Sequence, residues 1–294
     1  MRRTAPSYVL AGDVSVSTLL AALDNSTAAR PVLEAAMVLA DLFGATVQAL
    51  HVAEDGDGKA RALAAAAGVP IRTVKDPTVR SLVEAAQAKE VAALVLGVRG
   101  TPMGPRPAGG TALAVIKSLG KPLVVVPPDL PVPYRPTSIL VPLDATTATA
   151  TALRRTIELS CAGNLVVVLL HVHTEECLPM FSDQPQHETE AWIEEFVARY
   201  SPRGLDLVSV ELRVGEPSEQ VLAVTGEVGA GLIALAWAQD LSPGRAAVVR
   251  EVLRRSRVPV LLVPARREIA DSTGPADRPS FVVLDTDAEH VLSR

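Results

Sequence analysis

Lys121-Pro122-Leu123-Val124-Val125-Val126-Pro127 is an unbroken apolar run closed at both ends by proline, and Val258-Pro259-Val260-Leu261-Leu262-Val263-Pro264 repeats it. A short, continuous apolar run bounded by breakers reads as a strand covered on both faces, as in a parallel sheet between helices. Meeting the same run twice points to a duplicated unit. Upstream, Leu20-Ala21-Ala22-Leu23-Asp24 returns as Leu140-Val141-Pro142-Leu143-Asp144, and Leu50-His51-Val52 returns as Leu170-His171-Val172, both displaced by 120 positions (Asp24 to Asp144, His51 to His171). Lys75-Asp76-Pro77 answers Gly215-Glu216-Pro217 at 140 (Pro77 to Pro217), and the proline-bounded strands lie 137 apart (Pro122 to Pro259). The offset grows after Val172, so the second copy carries an insertion over residues 174–203.

Within the first copy, apolar runs near residues 18–23, 47–52, 71–74, 92–96 and 123–126 alternate with amphipathic stretches of helical length. Over residues 27–43, Val32, Ala36, Leu39 and Phe43 draw one apolar helical stripe, and Pro31 falls in the first turn, where its missing N–H costs nothing. Each copy therefore reads as an α/β, Rossmann-like domain with a roughly five-stranded parallel sheet flanked by helices and right-handed crossovers. Five prolines between Pro127 and Pro136 can neither continue a helix nor pair in a central strand. They predict a semi-rigid extended linker over residues 128–136, between domains at 1–127 and 137–265. The tail, residues 266–294, is polar apart from Phe281-Val282-Val283-Leu284, read as a short edge strand or docking segment.

Composition sets the outer bounds. The 294 residues allow two cores, and 48% hydrophobic content with a net charge of only -5 is the opposite of a disordered chain. The excess of 33 acidic over 28 basic side chains, without a basic block, argues against nucleic acid as a partner. No apolar run approaches the ~20 residues of a membrane span. Arg2 and Arg3 precede an apolar stretch, but Asp13 interrupts it, so no secretory leader is expected. Two cysteines, Cys161 and Cys177, fit a reducing cytosol, and the expected location is cytoplasmic.

Open parallel sheets bind ligands beyond the carboxyl ends of their strands. Asp24 follows the first strand there, His51 and Val52 end the second, and after the fourth comes Gly97-Val98-Arg99-Gly100-Thr101-Pro102-Met103-Gly104-Pro105-Arg106-Pro107-Ala108-Gly109-Gly110-Thr111, ahead of a helical stretch. Gly97 and Gly100 let backbone N–H groups approach a ligand, Gly110-Thr111 opens a helix whose unpaired N–H groups favour phosphate, and Thr111 adds a hydroxyl. A flexible surface loop is the plainer reading of the same composition. It is neither a Walker loop nor the dinucleotide fingerprint.

The spacing Gly, two residues, Gly, nine residues, Gly-Ser/Thr, met by Gly97, Gly100, Gly110 and Thr111, resembles the ATP-binding signature of universal stress proteins. The first-strand aspartate, the His-Val strand end, the Asp-Pro or Glu-Pro turn and the proline-bounded last strand resemble that family too, in both copies up to about residue 265. The resemblance implies an adenine-nucleotide-alpha-hydrolase-like fold in tandem and ATP, alone or with Mg²⁺, as ligand. It places the adenosine part on Asp24 and Val52, with ribose and phosphates on Gly97, Gly100, Gly110 and Thr111. It also implies last strands that pair across the domains within the chain, and leaves association of two chains as a homodimer open. Ala22 departs from the proline that many members carry there, which the second copy keeps as Pro142. That copy departs further: Ala236, Gln239 and Ala247-Val248 replace the glycines and the hydroxyl, so ATP is expected in the first domain and at most weak adenosine contact in the second.

Other candidates carry less. His171, His173, Glu175, Glu176 and Cys177 crowd one strand end without a recognised ligand spacing, so no metal is expected. Cys161 reads as a core residue. Arg99 and Arg106 either reach phosphate or lie exposed in the loop. No nucleophile elbow and no Cys/His pair in a pattern suited to nucleophilic hydrolysis is present, and no catalytic residue is assigned. The first reading is a nucleotide-dependent regulator of stress adaptation, with an unidentified protein partner, that binds ATP without turning it over. A slow ATP-hydrolysing or adenylyl-transferring enzyme and a nucleotide-free scaffold are the alternatives.

Overall fold

Successive side chains of a strand point to opposite faces of its sheet, and here both faces are apolar. Along β1 (Thr18–Leu23), Leu19, Ala21 and Leu23 join one buried cluster while Leu20 and Ala22 join another; β5 (Leu123–Val126) divides in the same way, with Val124 and Val126 against Leu123 and Val125. A computed structural model of the chain describes residues 17–53, 58–75, 78–98, 110–144, 146–173, 207–240 and 246–265. Between β1 and β5 run α1 (Ala29–Phe43), β2 (Thr46–Val52), α2 (Gly58–Ala66), β3 (Ile71–Val74), α3 (Thr78–Ala86), β4 (Val91–Gly97) and α4 (Gly110–Ser118). The second half comprises β6 (Ser138–Pro142), α5 (Thr147–Ala162), β7 (Val166–His173), β8 (Val208–Val214), α6 (Pro217–Glu227), β9 (Leu232–Trp237), α7 (Ala247–Arg255) and β10 (Val260–Pro264). The second-copy insertion and the tail lie outside the described residues.

All ten strands form one sheet in the order β3-β2-β1-β4-β5-β10-β9-β6-β7-β8. Pairing is parallel within each half and antiparallel where they meet, Val125 opposite Val260, Val124 opposite Leu261 and Leu123 opposite Leu262. The order reads the same in both directions once each strand is exchanged for its repeat. Val124 and Leu261, equivalent at the 137-residue offset, face each other, so a local two-fold axis passes between them. Helices α1, α2 and α5 supply apolar side chains to one face and α3, α4, α6 and α7 to the other. Parallel strands need such crossovers, and the helices fill both sides.

Local sequence accounts for the element ends. Helix α1 stops at Gly44, whose φ of 63° closes a left-handed turn with Ala45 N–H donating to the Ala40 carbonyl. In the second half Asn164, at φ 59°, makes the equivalent turn with Leu165 N–H donating to Ser160. Glycine and asparagine are the residues that tolerate this conformation best. Pro217 occupies the first turn of α6, and the Glu216 carboxylate caps it by accepting from Glu219 N–H at 2.8 Å and from the Ser218 hydroxyl. Burial alone would push the Glu216 carboxyl up, but these hydrogen bonds outweigh it and hold the group below its ordinary range. Val32, Ala36 and Leu39 of the predicted stripe are buried, whereas Phe43 is half-buried at its end, as is Cys161 beside the core.

The proline-rich segment differs from the extended spacer expected of it. Leu130 N–H donates back to the Pro127 carbonyl in a turn, and Leu130 and Tyr134 are buried in the α1/α5 cluster. Two apolar side chains among the prolines convert a linker into a strap. The Tyr134 hydroxyl donates to the Gly231 carbonyl at 2.9 Å while its N–H donates to Glu34 Oε1 at 3.3 Å, which ties the strap to both halves. Burial pushes the Tyr134 hydroxyl far up, so it stays a neutral donor. Gly231 lies so close beneath that a Cβ there would fall 2.7 Å from Pro136 Cα. Gly231→Ala is expected to lower stability by about 1–3 kcal/mol and Tyr134→Phe by about 1 kcal/mol. Urea unfolding measures both, and wild-type midpoints would contradict the strap's role.

Candidate functional site

A cavity of about 450 Å³ opens at the carboxyl ends of β1, β2 and β4, where α1 and α4 begin. That volume falls within the ~300–1,000 Å³ of small-molecule sites. Leu50 and Leu96 from the strands, Val32 from α1 and Leu82 from α3 are its buried apolar wall. Asp24, Asn25, His51, Thr78 and Thr111 add polar groups, and Gly110 and Thr111 bring the first turn of α4 to its edge. The unpaired N–H groups and positive dipole end of a helix there suit an anion.

Of the six residues assigned from sequence, Asp24, Val52, Gly97, Gly110 and Thr111 line this one cavity. Gly100 lies outside the described residues, together with Arg99, Arg106, Glu175, Glu176 and Cys177. Val32, Thr78, Leu82 and Asn25 also line the cavity, and the sequence assigns none of them to the site. Thr78 and Asn25 stood next to recognised features, the Asp76-Pro77 turn and Asp24, whereas Val32 and Leu82 look like ordinary core positions until the helices are packed.

Hydrogen bonding shows what the repeated polar residues do locally. Asp24 Oδ1 accepts from Ser26 N–H at 3.0 Å and from the Ser26 hydroxyl at 2.6 Å, and Ser26 Oγ accepts from Ala28 N–H at 3.2 Å. This closes the turn that leads into α1, which begins two residues later than the sequence stripe predicts. Asp144 makes the same turn with Thr146 at 3.0 and 2.7 Å. His51 donates from Nδ1 to the Leu23 carbonyl at 2.8 Å, and His171 to Leu143 at 2.9 Å. Asn25 Oδ1 accepts from Ala60 N–H at 3.1 Å, pinning the start of α2 to the cavity wall. Both halves thus keep an aspartate and a histidine that shape the strand ends whether or not a ligand sits there. Beyond the second strand end, His173 stands edge-on to His171 with ring centroids 4.6 Å apart. Burial first, and the neighbouring His171 second, lower the His173 pKa.

The halves diverge at the loop. Gly97 pairs with Val126 and Ala236 with Val263, so sheet register aligns Gly97 with Ala236 and, one residue on, Val98 with Trp237. A Cβ on Gly97 would stand 3.1 Å from Val32 Cγ2. The position equivalent to Val32 at the 120-residue offset is Ala152, so the second half has alanine at both positions where the first has glycine and valine. Trp237 is buried in one apolar cluster with Val172, Val221 and Val249, and places an indole where the first half has Val98 at the cavity wall. Gln239 (φ 57°) and Ala246 (φ 51°), which stand in sequence for Gly100 and Gly109, adopt a left-handed backbone without being glycine. Such a conformation costs roughly 1–2 kcal/mol for an L-residue.

Residues 136–264 match the model of the universal stress protein family. No curated protein matches the sequence. Among solved structures, the chain is similar to a universal stress protein from Archaeoglobus fulgidus DSM 4304 at 19% identity and a TM-score of 0.60, covering 84% of this chain and 98% of that one. It is also similar to a functionally unknown protein from Pseudomonas aeruginosa PAO1 at 13% identity and a TM-score of 0.63, covering 85% and 93%. At these identities the likeness is one of fold, a mostly parallel sheet between helices. The second half is therefore a universal stress protein family domain, and the match falls on the half that lacks the loop glycines. No helix among the described residues is long and apolar enough to cross a membrane.

The Gly97–Val32 contact yields a double-mutant cycle. Gly97→Ala is expected to cost on the order of 1 kcal/mol, and the same change in a Val32→Ala background at least about 0.5 kcal/mol less. Denaturant unfolding of the four proteins measures the coupling, and strictly additive changes would contradict the contact.

Proposed function

We propose that the whole chain is a tandem universal stress protein, with domains at 1–127 and 137–265 joined by the strap at 128–136, and that it binds ATP in the first-half cavity. The observation that carries this reading is the convergence on one cavity of an apolar wall, Asp24 and Val52 at two strand ends, and the α4 N-terminus with Gly110 and Thr111. The adenine ring lies against Val52 and the apolar wall, Asp24 faces the ribose side, and the phosphates meet Gly97, Gly110, Thr111 and the loop through Gly100. Mg²⁺ would be held by the phosphates themselves, since the described residues offer no cluster of three His, Cys, Asp or Glu side chains for it.

Recognition rather than turnover fits the groups at hand. Among the described residues that line the cavity, Asp24 is the carboxylate, and its Oδ1 holds the turn into α1. In-line phosphoryl transfer needs a positioned base or water-orienting group at the phosphate end, and among the described residues those that line the cavity there are Gly97, Gly110 and Thr111. ATP occupancy then sets the state of this region for a protein partner, in the cytosol, as a regulatory input to stress adaptation. In the second half, Ala236 and the buried Trp237 oppose a second nucleotide.

Calorimetric titration is expected to give one ATP per chain. Gly110→Trp is expected to weaken binding more than tenfold with the fold intact, since a Cβ at Gly110 meets nothing within 4 Å and a side chain there projects beside the cavity. Two nucleotides per chain, or wild-type binding by the variant, would contradict the assignment. Phosphate release that disappears in the variant would show turnover instead.

A further inference from the structure

The amide of Gln239, on the β9–α7 connection of the second half, donates from Nε2 to the carbonyl of Leu119, the residue that follows α4 in the first half. We propose that Gln239 is a positioning residue for the first-half cavity: the loop that lost its glycine at this position now holds, by its C-terminal end, the helix whose other end receives the phosphates. The inference rests on the nucleotide reading above.

Three observations support it. Helix α4 has nine residues, about 13 Å, too short to be stable from its own hydrogen bonds. Its last carbonyls lack intrahelical partners, and a donor there also suits the negative end of the dipole. Leu119 is 1% exposed, so water is a poor substitute for the amide. Gln239 holds a φ of 57°, a conformation that glycine would take at less cost. Keeping glutamine there retains the amide at the expense of an easier backbone. The sequence breaks the symmetry: Gly100, the counterpart of Gln239, carries no side chain to offer Ser256, the residue equivalent to Leu119. Val115, Ile116 and Leu119 anchor the buried side of α4 in the core. The Gln239 bond fixes the remaining freedom, fraying and sliding along the axis, that would move Gly110 and Thr111 relative to the strand ends.

The test uses the full chain with Gln239→Glu, which is isosteric but places a carboxylate against the carbonyl, Gln239→Gly, which removes the donor while relieving the backbone, and Gln239→Lys, which keeps a donor. ATP affinity by calorimetry, melting temperature, and hydrogen exchange of amides 114–119 without nucleotide are the readouts. Gln239→Glu and Gln239→Gly are expected to weaken ATP binding about fivefold and to speed exchange, with Gln239→Gly melting near wild type because relief of the backbone offsets the lost bond, and Gln239→Lys staying within about twofold of wild-type affinity. Wild-type affinity and exchange in Gln239→Gly would overturn the proposal, as would a lowered melting temperature with unchanged affinity, the mark of a merely structural contact. If the wild-type chain bound no ATP, the nucleotide reading would fall, and the exchange contrast would still decide whether Gln239 holds α4.

Discussion

The antiparallel pairing of β5 with β10 is the constraint on which the rest of the molecule depends. Each half ends in a strand apolar on both faces, and such a strand left at the edge of a five-stranded sheet would expose its backbone donors and acceptors. Pairing the two last strands removes both edges at once and makes the apolar clusters on each face continuous from one half to the other. Two-fold geometry about Val124 and Leu261 follows. So does the place of the proline-rich strap, whose Tyr134 reaches Gly231 while its backbone reaches Glu34.

On this symmetric frame the two halves differ in their side chains more than in their backbone. Their strand ends are built alike: Asp24 and Asp144 close the same turn, and His51 and His171 hold the same carbonyl. Persistence of these residues therefore reports a shared scaffold and carries no information about a second ligand. The difference lies in volume and backbone freedom one strand away. Glycine beside valine forms a cavity wall in the first half, whereas the second has alanine at both positions, a buried tryptophan, and a glutamine in place of a loop glycine. Duplication supplied two like strand-end frames; among the described residues the cavity of about 450 Å³ lies at the first, and Gln239 of the second reaches Leu119 of the first.

Much of the frame was legible in the sequence, for a physical reason. Strands buried on both faces are continuous apolar runs, and β1, β3 and β5 begin and end where those runs do. The helix start was read two residues early because the Asp24–Ser26 turn consumes residues that composition alone assigns to α1. The strap was read as a spacer because five prolines outweigh two apolar side chains until Leu130 and Tyr134 are seen in the core. Strand-end residues of the site, Asp24 and Val52, were visible because parallel sheets place ligands there. Helix-borne Val32 and Leu82 were not, since their apolar character is that of any core residue. The Gln239–Leu119 bond joins residues 120 positions apart, and nothing local to either announces it.

The central claim is that a duplicated frame carries one adenine nucleotide, with its base against Val52. Photo-crosslinking with 8-azido-ATP, followed by peptide mapping, tests it most directly because the azide reports the position of the base. The account predicts label on first-half peptides, around residues 46–53 and 78–86, that ATP competes away. Label on residues 166–173 or 217–227 of the second half, alone or in equal measure, would contradict it.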